Sequence, residues 1–286
     1  MRSAVLQALN GISLGALLFL LSSGFTLTFG LMRVVNMAYG AYYLLGGYIG
    51  LSIAQVSGSF ELAILGGGCA VIAVGYFVDR FLIQPIGGDH LAQVLLTVGV
   101  AFVIGEICLA IWGGDNLKVP TSAYLRGAIV LPGDFYYPKY RFAIIVFGVV
   151  AAVLLWLLYY KTQIGAVVRA GVDDREMVNA TGINIDRLFV LVSALGSFFA
   201  GVAGVVGGAY LTLNPGAEWD ILVLALVVVI IGGLGSLEGA ILGSVIVGLL
   251  DAYGRWLLPE FSYFVLFGPM AVLLLFRVTG IFGREH

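Results

Sequence analysis

The sequence has 286 residues, of which 61% are hydrophobic and only 10% are charged. A soluble chain carries about 25% charged residues, so this composition excludes an ordinary water-soluble globular protein. The net charge is −2 and the 14 Lys and Arg residues are scattered, so no face for binding nucleic acid is predicted. The composition predicts an integral membrane protein whose outer surface is apolar because its solvent is the lipid bilayer.

Nine apolar runs are candidates for crossing a membrane, since a spanning helix needs about 20 apolar residues. They cover residues 4–29, 38–56, 60–78, 91–112, 141–160, 188–213, 219–234, 236–254 and 261–278. Breaks at 30–41 and 232–240 could make a neighbouring run re-entrant, so we expect eight or nine spans. The predicted fold class is all-α, a polytopic transmembrane helical bundle in which residues 1–286 form a single domain.

Glycine is abundant, with 41 residues, and glycines four residues apart recur within the apolar runs. Small residues at this spacing let two helix backbones approach closely, which drives helix association in lipid. We therefore expect these glycines to lie at the packing surfaces of a compact bundle. The glycines at this spacing are Gly11/Gly15, Gly46/Gly50, Gly204/Gly208 and Gly235/Gly239/Gly243.

The first two apolar runs are separated by a polar segment from Arg33 to Gly40, which contains Asn36 and Tyr39. Irregular backbone at membrane depth is tolerated only where it is buried in protein or lines a cavity. Broken helices of this kind are where transporters place substrate contacts. An ordinary turn at the membrane surface is the alternative interpretation of the same segment.

Two polar connections exceed a dozen residues, one at 113–140 and the other at 161–187. An odd number of spans separates them, so we expect them on opposite sides of the membrane. The second connection contains Lys161, Arg169, Arg175 and Arg187. The excess of positive charge in cytoplasmic loops places this connection and the C-terminus in the cytoplasm, and residues 113–140 outside.

The connection at 161–187 contains a predicted amphipathic helix over residues 165–182. One stripe at helical spacing is apolar and consists of Ile164, Val167, Val168 and Val172. A second stripe is charged and consists of Arg169, Asp173 and Glu176. Gly182 is placed to end the helix and Asn184 to cap the following span. The helix could rest on lipid headgroups or dock to a soluble partner, and its mixed charges favour docking.

Ionisable residues inside the apolar runs are few, and the candidates are Glu106 and Asp251. An intramembrane carboxylate is a functional candidate by default, although both lie close enough to a run end to reach water. The only histidines, His90 and His286, provide no metal site and no catalytic dyad. The glycine-rich segment 231–240 lacks the lysine of a phosphate-binding loop, so no ATPase motif is predicted in this chain.

Motifs spread over essentially the whole chain occur in an order that matches a known family. They are the segments from Asn10 to Gly15, Gly30 to Gly40, Leu96 to Gly99, Arg169 to Asn184, Gly232 to Ser236 and Phe276 to Gly283. Together they resemble the smaller inner-membrane permease subunit of branched-chain amino acid ABC importers. Permeases for urea, short amides and other amino acids share these motifs. The family commonly has histidine at the position of Tyr39 and a polar amide near Glu106.

The resemblance implies a heteromeric importer of the bacterial inner membrane. Two related permeases form the pathway, two cytoplasmic ATPases hydrolyse ATP, and a periplasmic binding protein delivers substrate. This chain itself then needs no cofactor. The residues implied for the substrate pathway are Asn36, Tyr39, Gly40 and Glu106. Those implied for coupling to an ATPase are Gly165, Arg169, Asp173, Asp174, Arg175, Glu176 and Gly182.

Two other classes of function compete with the importer subunit. A stand-alone carrier or channel would need no ATPase and would use Glu106 or Asp251 for coupling ions. A membrane-embedded enzyme ranks last, because the sequence shows no cluster of His, Cys or carboxylate residues. A carrier should transport as a lone chain in liposomes, whereas a permease subunit should not.

Overall fold

A computed structural model describes residues 2–32, 35–87, 89–131, 135–173, 175–180, 182–277 and 279–283. The described chain is mostly helical. Its helices are α1 (Arg2–Met32), α2 (Tyr39–Ser57), α3 (Phe60–Phe77), α4 (His90–Trp112), α5 (Lys139–Lys161), α6 (Gln163–Asp173), α7 (Arg175–Ala180), α8 (Ile185–Tyr210), α9 (Ala217–Gly232), α10 (Leu237–Leu257) and α11 (Ser262–Phe276). A π-helical stretch (Val78–Ile83) and a 3-10 turn (Gln84–Ile86) continue α3.

Short polar side chains begin several of these helices by capping free backbone N–H groups. The side chains of Ser59, Asp89, Asn184 and Ser236 accept hydrogen bonds from the backbone N–H three residues further along. The predicted cap at Asn184 is therefore confirmed, with 3.1 Å from its Oδ1 to the nitrogen of Arg187.

The connection at 113–140 contains the only strands among the described residues. Strands β1 (Ala128–Leu131) and β2 (Phe135–Pro138) pair antiparallel, with Ile129 opposite Tyr137 and Val130 opposite Tyr136. The sequence analysis did not predict this hairpin, which adds a small surface element to an otherwise helical bundle. Tyr137 fixes the hairpin to the bundle by donating to the carbonyl oxygen of Leu9 over 2.9 Å.

The helices differ in how much of their surface is covered by protein. In α2 the side chains of Tyr39, Tyr42, Tyr43 and Tyr48 are each at most 1% exposed, so this helix lies at the centre of the bundle. In α4 and α5, by contrast, large apolar side chains such as Phe102 point outward. An apolar exposed surface of this kind is suited to lipid. The tyrosines of α2 are tolerated because other helices surround them.

Six helical stretches among the described residues are long and apolar enough to cross a membrane. They are Ser3–Gly30, Phe60–Ile86, His90–Trp112, Lys139–Lys161, Arg187–Tyr210 and Leu237–Leu257. Of the three remaining predicted spans, α9 has 16 residues, α11 has 15, and α2 has 19 but is rich in tyrosine. The polytopic helical class is confirmed, and the count of eight or nine spans stays a prediction.

The two ends of the bundle carry the two long connections. At the end that we call the loop face, residues 113–140 pair with the turn after α8 through Leu117 and Leu213. At the end that we call the opposite face, Tyr160 bonds Glu238 at the start of α10. Helix α5 alone joins the two connections, so they lie at opposite ends, as predicted.

The predicted glycine packing is confirmed at the centre of the bundle. A Cβ atom added to Gly46 would lie 2.6 Å from the carbonyl oxygen of Gly201, and one added to Gly15 would lie 2.6 Å from that of Ser244. These distances leave no room for a methyl group. The contacts join α2 to α8 and α1 to α10, and they bring backbone directly against backbone.

Replacing Gly46 with alanine is expected to destabilise the bundle, because the new methyl group must displace the backbone of α8. Overpacking of this kind costs about 1–3 kcal/mol. Thermal unfolding of the purified protein in detergent should show a lower Tm. Gly99→Ala is the matched control, since an added Cβ there meets nothing within 4 Å. Equal Tm values for Gly46→Ala and Gly99→Ala would contradict the packing interpretation.

Candidate functional site

The break between α1 and α2 is held in place by its own polar residues. Arg33 and Val34 lie outside the described residues. The Oδ1 atom of Asn36 accepts from the backbone nitrogen of Ala38 over 2.9 Å, and so helps to start α2. The backbone nitrogen of Met37 donates to the hydroxyl of Thr97 over 3.1 Å. The break is therefore anchored to α4.

Tyr39 and Gly40 connect the start of α2 to three other helices. The hydroxyl groups of Tyr39 and Thr28 are 2.6 Å apart, which ties α2 to the end of α1. The same hydroxyl lies against Gly196, near the middle of α8. Gly40 faces the backbone oxygen of Glu218, so the first turns of α2 and α9 meet. Irregular backbone at this position is buried in protein, in agreement with the expectation from the sequence.

Glu106 does not join the other predicted pathway residues. Its side chain is exposed on the outer side of α4. The carboxylate that lies beside the start of α2 belongs to Glu218, which is 7% exposed and accepts from the backbone nitrogen of Gly216 over 2.9 Å. Sequence reasoning missed Glu218, although the preceding Pro215 and Gly216 indicate a helix start at this point.

A cavity of about 520 Å³ opens on the loop face between α1, α5, α9 and α10. Its polar wall includes Gln7, Asn10, Arg141, Asn214, Asp220, Asp251 and Arg255. Its apolar wall includes Leu14, Ile221, Leu224 and Trp256. The cavity thus offers groups of both charges beside an apolar surface. Sequence reasoning singled out Asp251 alone among these residues as an ionisable functional candidate, because the cavity forms only through the folding of four separate segments.

The charged groups of the cavity are held by specific partners. The Oδ1 atom of Asp251 accepts from both Nε and Nη2 of Arg255, each at 2.9 Å. Arg141 donates to Oδ1 of Asn10, and its guanidinium lies 5.2 Å from the ring centre of Tyr210. Charge-assisted contacts of this kind fix the orientation of planar guanidinium groups. The wall is therefore an ordered arrangement of charges.

Tyr137 supports the same corner of the molecule from strand β2. Burial raises the pKa of its hydroxyl above the usual value near 10, so the group stays protonated and continues to donate at neutral pH. On the neighbouring loop, the hydrogen bond from Tyr124 to Glu61 raises the pKa of the Tyr124 hydroxyl. Both phenols hold the 113–140 connection against the bundle.

The predicted amphipathic helix at 165–182 is two helices, α6 and α7. Asp174 lies between them, outside the described residues, as do the side chains of Asp173, Arg175 and Glu176. The apolar stripe is only partly as predicted, since Val168 is buried while Ile164 is 41% exposed. Ile164 occupies the first turn of α6, on the side that faces away from α5.

Glycines shape both ends of this segment. Gly165 is buried against the last carbonyl groups of α5, at Leu158 and Tyr159, where a Cβ atom would overlap both oxygens. Gly182 has φ +84°, the left-handed conformation that glycine adopts most easily after a helix. The sharp corner between α5 and α6 therefore depends on the absence of a side chain at Gly165.

Arg169 lies folded back onto the end of α5. Its guanidinium donates to the carbonyl oxygen of Tyr159 and lies 5.3 Å from the ring centres of Tyr159 and Tyr160. Tyr160 in turn donates to Oε1 of Glu238 over 2.6 Å. These contacts link α6 to the start of α10. The sequence analysis placed Arg169 in a charged stripe offered to a partner, and in the structure its guanidinium contacts the end of α5.

The glycine-rich segment 231–240 is completed by the C-terminal part of the chain. The backbone nitrogens of Ile281 and Phe282 donate to the carbonyl oxygens of Ile231 and Gly232, each over 3.0 Å. These bonds satisfy carbonyl groups that the end of α9 leaves free. Phe282 also lines a cavity of about 140 Å³ together with Val172 of α6 and Glu238. The connection 161–187, the start of α10 and the C-terminal segment therefore meet at one place.

Comparison with known proteins shows the family of the chain. Residues 7–274 match the family described as branched-chain amino acid transport system / permease component. The high-affinity branched-chain amino acid transport system permease proteins BraD of Pseudomonas aeruginosa and LivH of Salmonella typhimurium are 28% and 27% identical, each over 98% of this chain and 96% of the relative. The ribose import permease protein RbsC of Escherichia coli is 24% identical over 92% of this chain and 79% of its own length. No solved structure matches the chain.

The chain is a multi-pass membrane protein of the transport class. Six apolar helical stretches of at least 21 residues among the described residues and the match to a permease family define this class. The chain belongs to the branched-chain amino acid transport system permease family. The family resemblance predicted from the sequence motifs is thereby confirmed. Members of this family are transport components, and the enzyme class, ranked last from the sequence, is not supported by these relatives.

Replacing Gly165 with alanine is expected to displace α6 from the end of α5, because the new Cβ overlaps two carbonyl oxygens. Limited proteolysis within 161–187 should become at least several-fold faster, since the overpacking cost of about 1–3 kcal/mol favours local opening. The matched control is Ala170→Ser on the exposed side of α6. Unchanged proteolysis in Gly165→Ala would show that the corner does not depend on this contact.

Proposed function

We propose that this chain is the membrane-spanning subunit of an ABC importer that forms the translocation pathway for branched-chain amino acids. The match of residues 7–274 to the permease family carries this proposal. The relatives BraD and LivH, which cover almost the whole chain, are named for branched-chain amino acid transport. The chain would lie in a bacterial inner membrane.

The cavity on the loop face supports an amino acid over a sugar as the solute. Arg141 and Arg255 suit a carboxylate, while Asp220 and Asp251 suit an ammonium group. The apolar wall suits an aliphatic side chain such as that of leucine. The Asp251–Arg255 pair is neutral as a unit, so Arg141 and Asp220 are the groups left to match the charges of a solute. A sugar such as ribose carries no charge to match them, although a ribose permease is among the relatives.

The pathway would continue from the cavity towards the break at the start of α2. Tyr43 of α2 lines the cavity, and Asn36, Tyr39 and Gly40 lie in the preceding turns of the same segment. Glu106, on the exposed side of α4, would act only if a second permease covers that side. Short helices that begin inside a bundle are where transporters place solute contacts.

We further propose eight or nine spans, with residues 161–187 and the C-terminus in the cytoplasm. The support is that the two long connections lie at opposite ends of the bundle. The C-terminal segment lies with 161–187, through Phe282 and Val172. The loop face, with residues 113–140, would then be periplasmic. Residues 1–286 would form one permease domain.

The family implies an assembly with other subunits. We propose a second permease, either related or identical, two cytoplasmic ATPases and a periplasmic binding protein. ATP would be hydrolysed on the ATPases, and this chain would hold no cofactor. The 161–187 connection would receive the movement of an ATPase through Gly165, Arg169, Asp173, Asp174, Arg175, Glu176 and Gly182.

The contacts of Arg169 suggest how the movement would reach the spans. A displacement of α6 would act on Tyr159 and Tyr160 through the guanidinium, and on Glu238 through the Tyr160 hydroxyl. Glu238 belongs to the first turn of α10, which packs along α1 through Gly11 and Gly15. Each step of the proposed coupling route from α6 to α10 is therefore a direct contact between residues.

The function is tested by reconstituting the chain in liposomes with its cognate ATPases and binding protein. Saturable ATP-dependent uptake of labelled leucine is expected, with competition by isoleucine and valine and no competition by urea or ribose. The lone chain should not transport, because it holds no ATPase. Leucine uptake by the lone chain would instead identify the carrier class, and competition by ribose would reassign the solute.

The cavity is tested in the same assay with Arg141→Gln. Loss of one charge-assisted contact is expected to raise the half-saturating leucine concentration roughly tenfold. Arg126→Gln, in the exposed part of the 113–140 connection, is the matched control and should behave as the unchanged protein. Equal uptake by both variants would remove the cavity from the pathway.

The coupling route is tested with Tyr160→Phe, which removes only the hydroxyl that reaches Glu238. An exposed hydrogen bond contributes about 0.5–1.5 kcal/mol, so leucine uptake per ATP hydrolysed should fall about several-fold. ATP hydrolysis itself should persist, because it occurs on other subunits. Tyr136→Phe on the exposed strand β2 is the matched control. A parallel loss of uptake and hydrolysis would contradict a coupling role.

A further inference from the structure

A buried polar cluster around Asp79 lies at the junction of α2, α3 and α8, beside Tyr39 of the proposed pathway, and neither the pathway nor the coupling route uses its carboxylate. Asp79, in the π-helical stretch that continues α3, is 2% exposed and accepts from the hydroxyl of Ser193 on α8. The hydroxyls of Tyr39 and Tyr42 on α2 lie close enough to feel the charge of this carboxylate. A carboxylate at this depth is costly unless something compensates its charge.

The helices are shaped to bring these groups together. Gly75 precedes Asp79 by one turn. The hydroxyl of Ser197 occupies the space that a side chain at Gly75 would fill, and the ring of Tyr42 lies 3.8 Å from a Cβ atom added to Gly75. Gly196 likewise makes room for the hydroxyl of Tyr39. Asp79 itself lies on a π-helical turn, a local departure from the α-helix that is frequent at functional sites.

Three oxygen atoms of the cluster have no hydrogen-bond partner in the described part of the chain. They are Oδ1 of Asp79, the hydroxyl of Tyr42 and Oγ of Ser197. The residues that carry them are all at most 2% exposed. Asp79 contacts Ser193, while Ser197 and Tyr42 lie beside Gly75, so the three oxygens belong to adjacent turns of the same helix contact. Buried polar atoms are almost always paired, so this group of unpaired oxygens calls for a bound species. Among the described residues, no Lys, Arg or His pairs with Asp79.

The chemistry of the cluster indicates which species it takes. Its groups are a carboxylate and hydroxyls, the oxygen ligands that hard cations prefer. A single carboxylate balances a single positive charge, which favours a monovalent cation over a divalent one. A proton on Oδ1 of Asp79 would be a donor that neither Tyr42 nor Ser197 is in position to accept. A proton on Oδ2, shared with Ser193, would neutralise the carboxylate but leave the three oxygens unpaired.

We propose that Asp79, Tyr42, Ser193 and Ser197 form a binding site for a monovalent cation, Na⁺ or K⁺, inside the bundle. The bound cation neutralises the Asp79 carboxylate and fixes α2, α3 and α8 relative to one another. The site stands independently of the transport function proposed above. The sequence analysis did not identify Asp79, which lies beside Arg80, as a functional candidate. The proposed site gives this carboxylate a role.

The site is tested by thermal unfolding of the purified full-length protein in lipid nanodiscs. NaCl, KCl and choline chloride are compared at the same ionic strength. The Tm is expected to rise saturably with Na⁺ or K⁺ relative to choline, because a ligand that binds only the folded state stabilises it. Asp79→Asn should abolish the rise, and Asp115→Asn, an exposed loop carboxylate, should retain it.

Three outcomes would overturn the proposal. They are a wild-type Tm that is the same in all three salts, a cation-dependent rise that Asp79→Asn retains, and a Tm that responds only to pH through Asp79. If Asp79→Asn does not fold, Tyr42→Phe and Ser197→Ala keep the carboxylate. Each is expected to raise the half-saturating cation concentration roughly tenfold or more. Unchanged half-saturation in both variants would equally overturn the site.

Discussion

Direct backbone contact between glycine-bearing helix faces is the constraint on which the rest of this structure depends. In lipid there is no hydrophobic driving force between helices, so association depends on close packing. Gly46 against Gly201 and Gly15 against Ser244 bring α2 to α8 and α1 to α10 with no side chain between them. Because the centre is built in this way, α2 can be surrounded by protein and carry tyrosines that would be unfavourable against lipid.

The same packing determines where polar chemistry is possible. Helices in close contact leave little interior space, so charged groups collect where helices begin or end. The loop face gathers Arg141, Asp251 and Arg255 around a cavity, and the opposite face gathers Arg169 and Glu238 around the end of α5. The exception is the cluster around Asp79, which lies within the bundle where glycines make room for hydroxyls instead of backbone.

The two faces are connected by closely packed helices, which is what the proposed coupling of movement at one end to access at the other requires. The α6 segment is held to α5 by the sharp corner at Gly165 and to α10 by Tyr160 and Glu238. Helix α10 then runs along α1 to the loop face, where Asp251 lines the cavity. A force applied to α6 therefore has a continuous packed route to the proposed pathway.

The sequence by itself determined the membrane class, the helical runs, the glycine packing faces and the family, because these follow from composition, period and local motifs. It also located the cap at Asn184 and the end of the segment at Gly182. Only the tertiary structure decided which polar groups meet. Glu106 points outward while Glu218 faces α2, and Arg169 folds inward, because side-chain direction depends on how each helix rotates against neighbours distant in sequence. Contacts between residues far apart in the chain leave no local signal in a single sequence.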